Sequence, residues 1–160
     1  MSQSLHLDKS LGKEEKYLQI LPQLKALVQG EEDRIANLAN TCAFLKEAFN
    51  WWWVGFYLVK NNELVLGPFQ GPVACTRIAF GKGVCGSAWE AKKTIIVPNV
   101  HEFPGHIACS SASLSEIVLP MFDAKQEIIA VLDIDSEYLN HFDEMDARYL
   151  NEVLNLLMIR

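Results

Sequence analysis

The chain has 160 residues, half of them hydrophobic and 21% charged, with a formal net charge of −6 at neutral pH. That length predicts one domain, residues 1–160, with a buried core. The acidic balance excludes the clustered basic face that nucleic acid or an anionic membrane would need. No basic run exceeds Lys92-Lys93, no apolar stretch approaches the roughly 20 residues of a membrane span, and Met1 to Lys16 contains no apolar signal-like segment. A cytoplasmic location is therefore expected. There thiols stay reduced, and cysteines serve catalysis, redox exchange or metal binding more often than structural bridging.

Lys13 to Gln29 predicts an amphipathic helix with Leu18, Leu21 and Val28 on one face, Gly30 as a stop and Pro22 marking a kink or break. Asp33 to Phe49 predicts a second helix. Ile35, Leu38, Cys42, Leu45 and Phe49 recur at three-to-four spacing, which places Cys42 on a buried stripe as a structural residue. Trp53 to Val59 is aromatic and β-branched and reads as a strand. Asn61-Asn62 turns the chain, and Leu64-Val65-Leu66 returns it as a hairpin. Ala74 to Phe80 predicts a third strand, Gly81 to Gly86 a tight turn into a short helix near Ser87 to Lys92, and Thr94 to Val97 a fourth strand. Pro98 to Ser115 reads as a long irregular loop, and loops of that length are usually functional. Ile117 to Phe122 and Glu127 to Asp135 form a second hairpin. Asp143 then caps a last helix whose inner face carries Leu150, Val153, Leu154 and Leu157. The sum is an α+β domain: a central, mostly antiparallel six-stranded sheet with its flanking helices packed on one side.

Cys75, Cys85 and Cys109 fall in loop-like, glycine-rich or polar sequence, and the contexts of Cys85 and Cys109 do not read as a helix or strand interior. A thiol so placed can be exposed and lowered in pKa, the conditions for a reacting thiolate. No CxxC is present, which disfavours a structural zinc site. A mixed metal site from His101, His106 and Cys109 is conceivable. A redox relay fits better, in which one thiolate attacks, becomes a sulfenic acid and condenses with a second thiol. The plain alternative is three incidental buried cysteines.

Asp133 and Asp135 sit at i and i+2 in an apolar strand, so both point to one face. Burial and mutual repulsion there would raise at least one pKa and yield a proton donor at neutral pH. A frayed strand end with paired aspartates is the competing reading. Glu116 opens the neighbouring strand and can join the cluster. Trp53 and Tyr57 share a face opposite Phe56, as pocket wall or as core. His106 either shapes its loop or tunes the nearby thiol.

With these residues assembled, the chain resembles the free methionine-(R)-sulfoxide reductases, which are GAF-domain enzymes. The resemblance is carried by Trp53-Val54-Gly55-Phe56-Tyr57, Gly67-Pro68-Phe69-Gln70-Gly71, Gly81-Lys82-Gly83-Val84-Cys85-Gly86, Val97-Pro98-Asn99-Val100-His101, Phe103-Pro104-Gly105-His106-Ile107-Ala108-Cys109, Ser115-Glu116-Ile117-Val118-Leu119-Pro120 and Val131-Leu132-Asp133-Ile134-Asp135-Ser136. A lone GKGVCG would be weak; seven segments in this order, spanning nearly the whole chain, are specific. The resemblance implies a GAF fold and reduction of free methionine-R-sulfoxide. It implies Cys109 as nucleophile, Cys75 or Cys85 as resolving thiol, a carboxylate cluster of Glu116, Asp133 and Asp135, and an aromatic wall of Trp53 and Tyr57. It further implies recycling by thioredoxin, a homodimer, and no metal or organic cofactor. Ser110 departs from the aspartate common at that position, and Phe122-Asp123-Ala124-Lys125 is one residue longer than in some relatives. The rival readings are a GAF module that senses a small ligand or redox state without turnover, a reductase of peptide-bound sulfoxide, and a metal-binding protein.

Overall fold

A computed structural model describes residues 5–107, 109 and 111–158; Ser110 lies outside them. Two helices, α1 (Lys13–Val28) and α2 (Arg34–Phe49), precede three strands, β1 (Trp53–Lys60), β2 (Glu63–Gln70) and β3 (Arg77–Ala79). A short helix α3 (Gly83–Ala91), strand β4 (Ile95–Val97), a 3-10 turn over Val100–Glu102, strands β5 (Ser115–Phe122) and β6 (Ile128–Ser136), and helix α4 (Glu144–Met158) follow. The six strands lie in the order β3-β2-β1-β6-β5-β4, and every pairing is antiparallel. Among the described residues no helix is long and apolar enough to cross a membrane.

The central strands are buried on both faces, so their alternation sorts residues between two apolar layers. Val54, Phe56, Ile117, Leu119, Leu132 and Ile134 face one layer, where they meet α1, α2 and α4. Trp53, Tyr57, Val118 and Val131 face the other, where Val84, Cys85 and Ala88 of α3 cover them. The helices therefore pack on both sides, not on one. A sheet with β-branched and aromatic residues at successive positions cannot leave either face in water.

Two local expectations are also corrected. On α1 the buried stripe is Tyr17, Ile20, Leu24 and Val28, while Leu18 stays 57% exposed and the helix runs through Pro22. Tyr17 belongs to the stripe because its hydroxyl donates to buried Asp146 at 2.7 Å. Asp146 in turn accepts from Lys13 Nζ at 2.7 Å and from the Asp143 N–H at 2.9 Å, which ties α1 to the capped start of α4.

The second correction concerns Gly81–Gly86. Helix α3 starts at Gly83, so Cys85 lies in its first turn and is buried, not in an open turn. A Cβ on Gly86 would stand 2.5 Å from the Ala79 carbonyl oxygen, so glycine here lets the helix start against the end of β3. Cys85 is thereby pressed onto the sheet.

Gly55 has the same function on the sheet itself. A Cβ there would lie 2.2 Å from the Trp53 ring and 2.6 Å from Phe69 Cβ. The indole of Trp53 folds over the bare backbone of Gly55 and stacks on Phe69, with ring centroids 5.3 Å apart. Gly55→Ala should destabilise the protein by about 1–3 kcal/mol through overpacking and displace the indole. A denaturant midpoint and tryptophan fluorescence measure both, and an unchanged midpoint and spectrum would refute this packing.

Candidate active site

Strand register builds the polar floor. Glu116 of β5 pairs with Asp135 of β6, which pairs with Trp53 of β1. One step along, Asp133 stands between Val118 and Gly55. All of these face α3. The thiol of Cys85 and the carboxyls of Glu116 and Asp133 lie within 4.8 Å of one another. Glu116 and Asp133 are only 6% and 7% exposed; the Asp133 carboxyl hydrogen-bonds to Cys85 and Glu116, but its Oδ1 has no partner among the described residues. Asp135 is partly open and accepts from the Ser113 hydroxyl.

Burial sets the protonation of this floor, and mutual charge reinforces it. Burial and the charges of Asp133 and Asp135 push the Glu116 carboxyl well above its usual range. Burial and the charge of Asp135 do the same to Asp133. Asp135 rises from 3.8 to about 6 through burial, against the pull of the Ser113 hydroxyl. His106 Nε2 lies 3.8 Å from Glu116 Oε2. Burial and the charge of His101 push the imidazole down while burial pushes the carboxyl up, so both shifts oppose an ion pair at this contact.

The aromatic wall holds the thiol-bearing segment. Trp53 Nε1 donates to the Pro72 carbonyl at 3.0 Å, and the Tyr57 hydroxyl donates to the Cys75 carbonyl at 2.9 Å. Cys75, in the irregular run between β2 and β3, forms a disulfide with Cys109, 34 residues away, with 5.5 Å between the Cα atoms. Cys42 and Cys85 are free and buried. Burial pushes the Cys42 thiol up to about 12, and pushes Cys85 well above the ordinary thiol range, with Asp133 and Glu116 adding to it. The three cysteines singled out by sequence are thus divided: two joined by a bond, one an acid-floor thiol that resists ionisation.

These parts line a pocket that is partly open to solvent. Trp53, Tyr57, Cys85, Cys109, Glu116, Asp133 and Asp135 all line it, and no lysine or arginine does among the described residues. Its mouth carries Val73, 88% exposed, and Ile107. Ser113, His106 and Ile107 reach it from the loop after the 3-10 turn. His101 is exposed and does not line it, so the metal set of His101, His106 and Cys109 is not assembled. Ser113 carried no signal in the sequence beyond its place in a serine-rich loop, because its partner Asp135 is 22 residues away.

A model of the GAF domain matches residues 33–159, and the chain is a member of that family. A free methionine-R-sulfoxide reductase of Escherichia coli is 46% identical over 90% of this chain and 87% of its own length. One from Saccharomyces cerevisiae is 40% identical over 92% of this chain and 87% of its own. A free methionine-R-sulfoxide reductase from Neisseria meningitidis, solved in complex with its substrate, superposes with a TM-score of 0.95 at 54% identity, covering 98% of this chain and 94% of that one. Within the GAF family, the chain belongs to the free methionine-R-sulfoxide reductases, and so to the oxidoreductases.

The raised carboxyl of Asp135 has a signed consequence for stability. Below pH 3.8 both folded and unfolded states hold the proton; between 3.8 and 6 only the folded state does. Stability from this group is therefore full at acid pH and lost as pH rises through about 6, by on the order of 2 kcal/mol. Asp135→Asn should remove that component, so the wild type should lose stability relative to the variant between pH 4 and 7 in urea titrations. A pH-independent difference would contradict the assignment.

Proposed function

We propose that this chain reduces free methionine-R-sulfoxide, with Cys109 as nucleophile and Cys75 as resolving thiol. The observation that carries the reading is the Cys75–Cys109 disulfide at a pocket floored by three carboxyls whose pKa values burial raises. The substrate complex of the Neisseria relative supports the substrate class.

In the first step the Cys109 thiolate attacks the sulfoxide sulfur. The sulfoxide oxygen takes a proton from the floor, where Glu116 and Asp133 are the members held protonated at neutral pH. Collapse of the adduct moves the oxygen to Cys109 as a sulfenic acid and releases methionine. The Cys75 thiol then attacks that sulfur, an S–S bond forms and water leaves. A dithiol of the thioredoxin class supplies two electrons to reopen the disulfide. Asp135, with the lowest pKa of the three, is the carboxylate matched to the substrate ammonium, in a pocket that offers no other charged partner.

Trp53 supplies the apolar wall for the methyl group. With Tyr57 it also anchors the 72–75 segment, so substrate wall and resolving thiol are held by the same two rings. Cys85 is a weaker candidate for resolution, because its buried thiol is held in the protonated form. The enzyme acts in the cytoplasm as a homodimer and uses no metal or organic cofactor in this cycle.

The test is NADPH consumption coupled through thioredoxin and its reductase, with the free R epimer, the free S epimer and a peptide-bound sulfoxide compared. Turnover of the free R epimer alone, abolished in Cys109→Ser, is expected. Cys75→Ser should release roughly one methionine per chain and then stall. Normal cycling by Cys75→Ser would transfer the resolving role to Cys85, and no turnover of any sulfoxide by reduced protein would replace the enzyme with a ligand sensor.

A further inference from the structure

The mechanism above leaves Cys85 without a function, yet the fold invests a helix start and a glycine contact in pressing its thiol onto the acidic floor. Three different ligand types meet there. Cys85 Sγ and the carboxyl oxygens of Glu116 and Asp133 lie within 4.8 Å of one another, and His106 Nε2 is 3.8 Å from Glu116 Oε2. Donor atoms around a tetrahedral zinc ion stand about 3.3–4 Å apart, given bond lengths of about 2.0–2.3 Å. The atoms of Cys85, Glu116 and Asp133 come close to that range, and His106, which lies outside that group but touches Glu116, completes the set by turning toward them.

A second observation points to a ligand. Asp133 Oδ1 is buried and, among the described residues, without a hydrogen-bond partner, which is costly for a carboxyl oxygen. No lysine or arginine lines the pocket among the described residues to complete it, and all four donor residues line that pocket, so a cation can arrive from solvent.

We propose that this floor binds a borderline-soft divalent cation of the zinc kind through Cys85 Sγ, Glu116, Asp133 and His106 Nε2. On binding, the S–H bond of Cys85 gives way to a metal–sulfur bond and the proton goes to solvent; protons held by the two carboxyls leave in the same way. The imidazole already favours its neutral, ligating form. If the reductase reading holds, the ion competes with the substrate for the same carboxyls, and zinc is then a reversible inhibitor. The site itself does not depend on that reading.

The disulfide makes the test independent of catalysis. In the oxidised full-length chain, Cys75 and Cys109 have no thiol, and Cys42 and Cys85 are the free cysteines. Cadmium ion titrated into this form should produce an ultraviolet thiolate-to-cadmium charge-transfer band that saturates at one ion per chain and is removed by excess zinc. The band should persist in Cys42→Ser and vanish in Cys85→Ser. Asp133→Asn keeps every thiol and should weaken cadmium binding at least tenfold with the near-ultraviolet circular dichroism of a folded chain, which guards against misfolding of the cysteine variant. The proposal is overturned by absence of the band in wild type, its survival in Cys85→Ser, its resistance to zinc, or unchanged affinity in folded Asp133→Asn. None of these results bears on whether the reduced enzyme turns over a sulfoxide.

Discussion

Three carboxyl groups are held side by side on a buried sheet face with no lysine or arginine lining their pocket among the described residues, and the rest of the site follows from that arrangement. Ionised carboxylates there would cost several kcal/mol each in lost hydration. Burial therefore favours their protonated forms, pushing Glu116 and Asp133 well above the usual carboxyl range and Asp135 to about 6. In the proposed cycle, that state suits a pocket that hands a proton to a departing oxygen and receives a positively charged ligand. It also explains the covering: α3 and the loop carrying His106 and Ser113 have to keep water off the floor for the protons to stay.

The thiols are arranged around the same floor with opposite outcomes. Cys75 and Cys109 lie outside the helices and strands, and they are bonded. Cys42 and Cys85 stand on helices pressed into the two apolar layers, where burial opposes ionisation. Reactivity is assigned by secondary structure as much as by proximity. Trp53 and Tyr57 link the two systems, since each faces the pocket with its ring and holds a carbonyl of the Cys75 segment with its polar atom.

Much of this was legible in the sequence because it depends on period-two alternation. The facing of Asp133 with Asp135, and of Trp53 with Tyr57 against Phe56, follows from strand geometry alone, and the register brings Glu116 beside Asp135 as its place at a strand start suggested. The start of α3 was hidden because Gly81, Gly83 and Gly86 read as a turn. Gly81 does lie in a turn, but Gly86 permits close approach of the helix to a strand end, a tertiary fact with no local signature. The two-sided packing was missed for a related reason: with three long helices at the chain ends, a nine-residue helix gave too little apolar pattern to demand its own face of the sheet. Ser113 and the exposure of Leu18 depend on partners far away in sequence, Asp135 and the Tyr17–Asp146 bond, and periodicity does not contain them.

The central claim is that the floor stays partly protonated at neutral pH in the substrate-free protein. The most direct measurement is a carbon-13 NMR titration of side-chain carboxyls in protein labelled at Asp and Glu, with Glu116→Gln, Asp133→Asn and Asp135→Asn to assign the resonances. The account predicts that at pH 7 the Glu116 or Asp133 resonance still sits at the protonated position, with Asp135 titrating near 6. Full ionisation of all three by pH 5 would contradict it.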